Sequence, residues 1–194
     1  CYLLGVLSEF QKRHFGIKVR IVDAFSSDSE TLLVQGQVDL AFVMLPYQNK
    51  SIKYERVFEE QIFLAVPRQF AINQKLPDPQ ERPCTIEDLK DEPFVMYEHG
   101  RRMWGSSIAL CRSAGFEPRV AFESNVCESL NAMVAGGMGV GFVPSAIDRV
   151  KARYDSVIYY PIDDENAVRT LTIGYMEKNM TSAAREFVRV VKGK

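Results

Sequence analysis

Long apolar segments, a surplus of basic charge and leader-like features are all missing from this 194-residue sequence. No apolar run approaches the roughly 20 residues that a membrane-spanning helix needs. The net charge is −1, so the chain carries no overall basic field for nucleic acid. The amphipathic N-terminus has neither the basic start nor the cleavage site of a signal peptide. These absences predict a soluble protein with no membrane partner.

Cysteine and histidine are scarce, and no two cysteines form a C-x-x-C pair. The cysteines are Cys1, Cys84, Cys111 and Cys127. Their spacing argues against a zinc site and a disulfide framework, and with only two histidines we predict no metal and no cofactor. A reduced, cytoplasmic protein is the interpretation that follows. A cysteine redox switch stays open as an alternative, because thiol reactivity depends on local pKa and exposure.

The most informative stretch that is present covers residues 123–144, ESNVCESLNAMVAGGMGVGFVP. Ser124 and Asn125 can accept the first backbone hydrogen bonds of a helix. Apolar residues then recur at helical spacing, and a pair of glycines ends the helix because glycine readily adopts positive φ. In the apolar strand that follows, Gly139 and Gly141 permit a close approach to the preceding helix or to a ligand. The stretch predicts a helix–turn–strand unit of an α/β protein.

Strands and helices alternate along the rest of the chain, beginning with an amphipathic helix predicted over residues 2–14. The predicted strands lie at 17–22, 40–45, 54–58, 62–66, 94–97, 120–122, 157–162 and 171–176. This order predicts an α/β fold with mostly parallel sheets and right-handed crossovers. Two polar segments indicate crossings between lobes. We predict lobe I from residues 1–66 plus 168–194, and lobe II from residues 67–167 inserted into it.

Four segments, in this order and spacing, resemble the C-terminal effector-binding domain of LysR-type transcriptional regulators. They are GQVDLAFVMLP at 36–46, FLAVP at 63–67, IEDLKDEPFVMY at 86–97 and LNAMVAGGMGVGFVP at 130–144. The resemblance covers nearly the whole chain. It implies two Rossmann-like lobes joined by two crossover strands, as in periplasmic binding proteins of type 2, with a small-molecule effector between the lobes.

Two parts of the family pattern have no counterpart in this sequence. The helix-turn-helix and its linker helix are missing, so we expect DNA binding only through a missing N-terminal domain. The strand that precedes the opening helix in the family is missing too, and its loop usually contributes polar effector contacts. We therefore interpret the sequence as a fragment of a longer regulator.

Ligands of α/β lobes gather at the carboxyl ends of strands, where helix N-termini present free N–H groups. We predict an effector-binding site from such places in this sequence. Its residues are Ser26, Ser27, Leu45, Pro46, Gly100, Arg101, Arg102, Met103, Ser124, Asn125 and Val126. The planar donor fork of arginine suits carboxylate or phosphate, which predicts an anionic effector. The resemblance implies a ligand contact by Ser26 or Ser27, whereas the residues alone indicate a helix cap, and solvated arginines remain the alternative at 101 and 102.

Two other classes of protein stay open as alternatives. A small α/β enzyme needs a nucleophile beside a base, or paired carboxylates. Ser106 and Ser107 lack the G-x-S-x-G elbow and no phosphate-binding glycine motif follows a strand, so we predict no catalytic residue and no enzyme. A periplasmic solute-binding protein shares the expected fold. The upstream gene sequence distinguishes a regulator from such a receptor, since it would encode a helix-turn-helix in a regulator and a signal peptide in a receptor.

The favoured hypothesis is the sensory domain of a bacterial regulator, in which a small polar, anionic metabolite shifts an equilibrium between two arrangements. The resemblance implies a homodimer or a higher homo-oligomer, with the opening helix against a helix of the partner's second lobe. This helix carries more apolar surface than one buried stripe needs. The predicted dimer-interface residues are Leu3, Val6, Leu7 and Phe10.

Overall fold

The computed structural model describes residues 2–24, 26–47, 49–145 and 154–193, without the side chains at positions 26 and 27. Its α-helices are α1 (Tyr2–Arg13), α2 (Ser26–Val34), α3 (Arg102–Ser113), α4 (Cys127–Ala135) and α5 (Ser182–Lys192). Its β-strands are β1 (Ala41–Met44), β2 (Lys53–Pro67), β3 (Pro93–Tyr97), β4 (Arg119–Ser124), β5 (Val140–Pro144), β6 (Val157–Pro161) and β7 (Val168–Tyr175). The α/β class is confirmed, and the predicted opening helix is present as α1.

The chain divides into two compact units. The first unit takes Cys1–Glu59 and Thr170–Lys194, and the second takes Glu60–Arg169. β2 and β7 each contain one of the boundaries, so these strands are the two chain crossings. The division expected from the sequence has its boundaries at 66/67 and 167/168, a few residues from those of the compact units.

The first unit combines strands in the order β1-β7-β2 with helices α1, α2 and α5. β1 runs antiparallel to β7, with Ala41 aligned to Gly174 and Met44 to Leu171. The core of this unit lies between α1, α5 and β7, where the rings of Phe10 and Phe187 meet edge to face at 5.1 Å. Apolar spacing along α1 therefore serves the packing of its own unit.

That packing corrects half of the predicted dimer interface. Val6 and Phe10 are buried in the core of the first unit, so they offer no surface to a partner chain. Leu3 and Leu7 are half-buried beside the same core. Leu4, which we did not predict, is 64% exposed. From the sequence, the apolar residues of this helix could pack in the core of their own unit or against a partner chain. The position of α5 decides between these two roles.

The strand predicted at residues 17–22 is wrong. The segment has no regular secondary structure and no strand partner in the described part of the chain, and Ile21 is 57% exposed. Residues 17–24 and the edge of β1 line a groove of about 470 Å³, together with side chains of α1 and α5. Alternation of apolar residues predicts an extended chain, whereas a strand also requires a neighbour at hydrogen-bonding distance.

The two strands predicted at 54–58 and 62–66 form one continuous strand, β2. The polar residues between them, Glu59, Glu60 and Gln61, suggested a break. β2 continues through them because the carboxylate of Glu60 is paired with Arg169 of β7, which compensates the buried charge. Glu60 can therefore be buried only because Arg169 lies beside it.

The second unit has strands in the order β6-β2-β5-β3-β4. β3 pairs with β4 and β5 in parallel, whereas β2 pairs with β5 and β6 antiparallel. The expected mostly parallel sheet is thus a mixed sheet, because the crossing strand β2 enters from the edge at which the parallel strands end. Its core includes Phe94 and Phe142, whose ring centroids lie 5.8 Å apart.

Two of the cysteines belong to this core. Cys84 and Cys111 are fully buried, and burial raises the pKa of each thiol to about 12. At pH 8 the thiolate fraction of each is then on the order of one part in ten thousand. Since the thiolate is the reactive form, these two side chains are poor candidates for a redox switch.

We therefore expect N-ethylmaleimide to label Cys84 and Cys111 only after unfolding. Peptide mass spectrometry of native and urea-unfolded protein follows each thiol separately. The unfolded chain is the control for intrinsic reactivity. Native labelling at the rate of the unfolded chain would contradict the assigned burial and restore the redox alternative for these residues.

Candidate functional site

The register of the second sheet brings several chain segments to one edge. Tyr97 at the end of β3 aligns with Ser124 at the end of the parallel strand β4. β5 is also parallel to β3, and its last residue, Pro144, aligns with Ile62 of β2. Because β2 runs antiparallel to β5, Glu60 enters the sheet at this same edge. We call it the carboxyl edge, defined by Glu60, Tyr97, Ser124 and Pro144, and such edges are where α/β folds bind ligands.

The loop after β3 turns directly into helix α3. Gly100 has φ +88°, a left-handed conformation that favours glycine, and it lets the chain reverse between strand and helix. The amide of Arg101 donates to the carbonyl of Glu98 at 3.2 Å, and Arg101 is the residue that precedes the helix. Arg102 begins α3, and Met103 is buried in the core of the unit.

The loop after β4 leads into helix α4, which starts later than predicted. Val126 is the residue preceding the helix, and no side chain caps it. Ser124 forms a local turn instead, in which its Oγ accepts the amide of Val126 at 3.2 Å. The backbone N–H groups of the first turn of α4 are therefore left without a cap from Ser124 or Asn125.

A guanidinium joins the two loops. Nη2 of Arg101 donates to the carbonyl of Asn125 at 3.5 Å. The amide of Glu98 donates to the carbonyl of Ser124 at 3.2 Å and extends the pairing of β3 and β4 beyond their ends. The predicted site residues of the second unit, 100–103 and 124–126, thus lie together at the carboxyl edge.

A buried polar network lies directly behind these loops. Asn131 Nδ2 donates to the carbonyl of Cys127 at 3.0 Å, and the hydroxyl of Tyr97 lies close enough to the Cys127 sulfur to influence its pKa. The hydroxyl of Tyr159 in turn donates to Asn131 Oδ1 at 2.9 Å. Burial raises the pKa of the Cys127 thiol, although the hydrogen bond from Tyr97 acts in the opposite direction. These contacts fix the start of α4 against β3.

An ion pair borders the network at the same edge. Nε of Arg169 donates to Oε1 of Glu60 at 3.1 Å, and Nη2 of Arg169 contacts the same oxygen. Only 12% of the Arg169 side chain and 6% of the Glu60 side chain are exposed. Burial is the main reason for the raised pKa of Tyr97 and of Cys127; the cation of Arg169 lowers both pKa values, and the carboxylate of Glu60 raises them.

The predicted residues of the first unit are positioned as follows. The amide of Leu45, directly after β1, donates to the carbonyl of Thr170 at 3.0 Å, and the bond from Leu45 to Pro46 is cis. Leu45 is half-buried and Pro46 is exposed. Ser26 and Ser27 open α2, and their side chains lie outside the described residues. A ligand contact for these four residues stays a prediction.

Sequence reasoning missed Glu60, Tyr97, Cys127 and Arg169. Tyr97 and Cys127 look like ordinary strand and helix residues, and their contact depends on the register of β3 with β4. The signal that was available is Glu60, a charged residue within an otherwise strand-like run. Its partner lies 109 positions away, so no local pattern connects the two.

Across residues 2–24, 26–47, 49–145 and 154–193, no three His, Cys, Asp or Glu side chains are grouped as a metal site requires. Among the described helices, none has both the length and the apolar character that crossing a lipid bilayer demands.

The fold and the edge define a ligand-binding α/β domain of two units joined by two crossing strands, as in periplasmic binding proteins of type 2. The chain belongs to the LysR substrate binding domain family, whose sequence model matches residues 1–194. It is 25% identical to the HTH-type transcriptional regulator AlsR of Bacillus subtilis over 97% of this chain and 61% of AlsR. The chain thus spans about three-fifths of that relative's length.

Solved structures share the fold at lower identity. The effector binding domain of BenM with its effector benzoate superposes with a TM-score of 0.83 at 17% identity, covering 100% of this chain and 85% of that chain. Full-length CbnR in complex with its target DNA gives a TM-score of 0.78 at 19% identity, covering 98% of this chain and 65% of that one. AlsR is named as a transcriptional regulator, which bears against the enzyme alternative.

Proposed function

We propose that this chain is the effector-sensing domain of a cytoplasmic bacterial LysR-type transcriptional regulator, and that it binds a small anionic metabolite. The observation that carries the proposal is the family match, because it spans residues 1–194 rather than one motif. The regulator AlsR and the BenM domain with bound benzoate support a regulator that responds to a small molecule. Residues 100–103 and 124–126 are the proposed contacts in the second unit.

The chemistry of the carboxyl edge supports an anionic effector. Arg101 and Arg102 stand at the start of α3, and the N-terminus of α4 has no side-chain cap. The start of a helix carries partial positive charge and unpaired N–H groups, both of which favour anions. Arg169 adds a third guanidinium, paired with Glu60 at the carboxyl edge. A neutral apolar ligand would gain nothing from these groups.

Control of transcription requires parts beyond this chain. We assign DNA binding to another segment of the full-length regulator. The regulator is proposed to assemble as a homodimer or a higher homo-oligomer. The effector shifts the equilibrium between two arrangements only as far as its affinities for them differ. The half-buried Leu3 and Leu7 and the exposed Leu4 on α1 are the surface proposed for the partner chain.

The testing experiment is a thermal-unfolding screen of the purified chain against small carboxylates and inorganic anions. An effector present at about 100 times its Kd should add about 2.7 kcal/mol to the free energy of unfolding. For a chain of this size the unfolding temperature then rises by several degrees. A hit that is recovered chemically unchanged supports a sensor, whereas a hit that is consumed would overturn the proposal in favour of an enzyme.

Variants of the hit complex test the predicted contacts. Arg101→Ala and Arg102→Ala should weaken binding of an anionic hit by roughly tenfold or more, because each removes a charge-assisted hydrogen bond. Arg82→Ala is the matched control, since Arg82 is exposed elsewhere in the second unit. Equal affinity of all three variants, measured by calorimetry, would remove both arginines from the site.

A further inference from the structure

We infer that Arg169 is the residue that anchors the anionic group of the effector, and that Glu60 holds this position as an internal counterion until the effector replaces it. The inference deepens the proposed function and rests on it. It assigns a ligand class, a carboxylate or an anion of similar size, to one specific guanidinium. It also gives Glu60 the role of a built-in competitor.

Burial distinguishes this pair from the other ion pairs in the described part of the chain. In each of those pairs at least one side chain is more than half exposed, as in Arg112–Glu117 with 66% and 65%. Glu60 and Arg169 are both almost enclosed. A guanidinium in such a place requires an anion beside it, because an unpaired buried charge is strongly unfavourable.

The pair does not use every donor of the guanidinium or both oxygens of the carboxylate. Arginine and a carboxylate often form two parallel hydrogen bonds, one to each oxygen. Here Nε and Nη2 of Arg169 both reach the same oxygen of Glu60, Oε1. The hydrogen bonds between the two residues involve neither Nη1 of Arg169 nor Oε2 of Glu60. The donor fork is therefore only partly used by its internal counterion.

The pair also stands where a bound anion would meet other donors. β2 enters the sheet at the carboxyl edge, two residues before Ile62 aligns with Pro144. The loops with Arg101 and with the uncapped start of α4 border the same edge. An anion in contact with Arg169 would thus be stabilised from several sides, which a carboxylate fixed on β2 cannot achieve.

Exchange of one anion for another keeps the charge of Arg169 compensated throughout. A neutral ligand offers no such exchange, so the pair selects against neutral molecules. Glu60 and Arg169 are also the first and last residues of the second unit. Replacement of Glu60 by a ligand therefore acts on both chain crossings, β2 and β7.

The test uses acetate as the probe, because it requires no knowledge of the effector. Glu60→Gln keeps the size of the side chain and an amide oxygen, but removes the competing charge. We expect this variant to bind acetate at least roughly tenfold more tightly than the wild type, since the guanidinium has lost its counterion. Binding is measured by NMR titration of the full 194-residue chain at constant ionic strength.

The matched control is Glu59→Gln, which makes the same change in net charge at the adjacent, exposed position. The double variant Glu60→Gln/Arg169→Gln should lose the gain in acetate affinity. Acetate affinity of Glu60→Gln equal to that of Glu59→Gln, or a gain that persists in the double variant, would overturn the inference.

A milder variant keeps the test decisive if Glu60→Gln does not fold. Glu60→Asp retains the charge but shortens the reach to Arg169 by one methylene group, so its acetate affinity should lie above that of the wild type. No gain in that variant would also overturn the inference. Failure of this inference is distinguishable from failure of the proposed function. If an effector from the screen binds Arg169→Gln as tightly as the wild type, the chain is still a sensor, but Arg169 is not the anchor of its effector.

Discussion

Replacing Gly139 with alanine is expected to destabilise the chain by roughly 2–3 kcal/mol. A Cβ atom at this position would lie 2.5 Å from the carbonyl oxygen and 3.0 Å from the carbonyl carbon of Pro93. Both are backbone atoms of β3, and the neighbouring residue Phe94 is held in register with Val140. One strand must therefore move away from the other, which disrupts the parallel pairing at the centre of the second sheet.

Urea unfolding followed by circular dichroism measures this loss. The matched control is Gly105→Ala in α3, where nothing lies within 4 Å of the added Cβ. That variant should gain about 0.5–1 kcal/mol, because alanine is the better helix former. Unfolding of Gly139→Ala at the wild-type urea concentration would mean that β3 and β5 separate at no cost.

The close approach of this strand was predictable from its glycines, but its partners were not. Gly141 lies against the preceding helix as predicted, since its Cβ would contact Leu130 and Val134 of α4. Gly139 instead meets Pro93 of β3. Gly141 lies within β5 and Gly139 directly before it, and the neighbour that each one meets depends on the order of the strands in the sheet. That order depends on contacts that no local pattern encodes.

The same distinction separates the successful and the failed predictions elsewhere. Helix periodicity is local, and α1 lies where it was predicted. Strand pairing is non-local, so residues 17–22 have the composition of a strand without its partner. At the carboxyl edge, the loops at 100–103 and 124–126 followed from the rule that ligands meet strand ends. The buried groups behind these loops could not be predicted, because their contacts depend on the register of the strands.

The largest effect on stability is expected from breaking the Glu60–Arg169 pair. Arg169→Met should cost about 3–5 kcal/mol, because it leaves the carboxylate of Glu60 buried without its cation. Glu60→Met should have a similar effect for the converse reason. Glu60→Gln is milder, since its amide oxygen still accepts a hydrogen bond from Arg169.

Replacing both residues with methionine should cost less than either single change, because an apolar pair of similar size needs no counterion. The two single effects are thus strongly non-additive, and a double-mutant cycle from urea unfolding gives their coupling energy. The exposed pair Arg112–Glu117 provides the matched cycle, with an expected coupling below about 1 kcal/mol. A Glu60–Arg169 coupling as small as that would mean that water already solvates both charges, and the guanidinium would then need no resident anion.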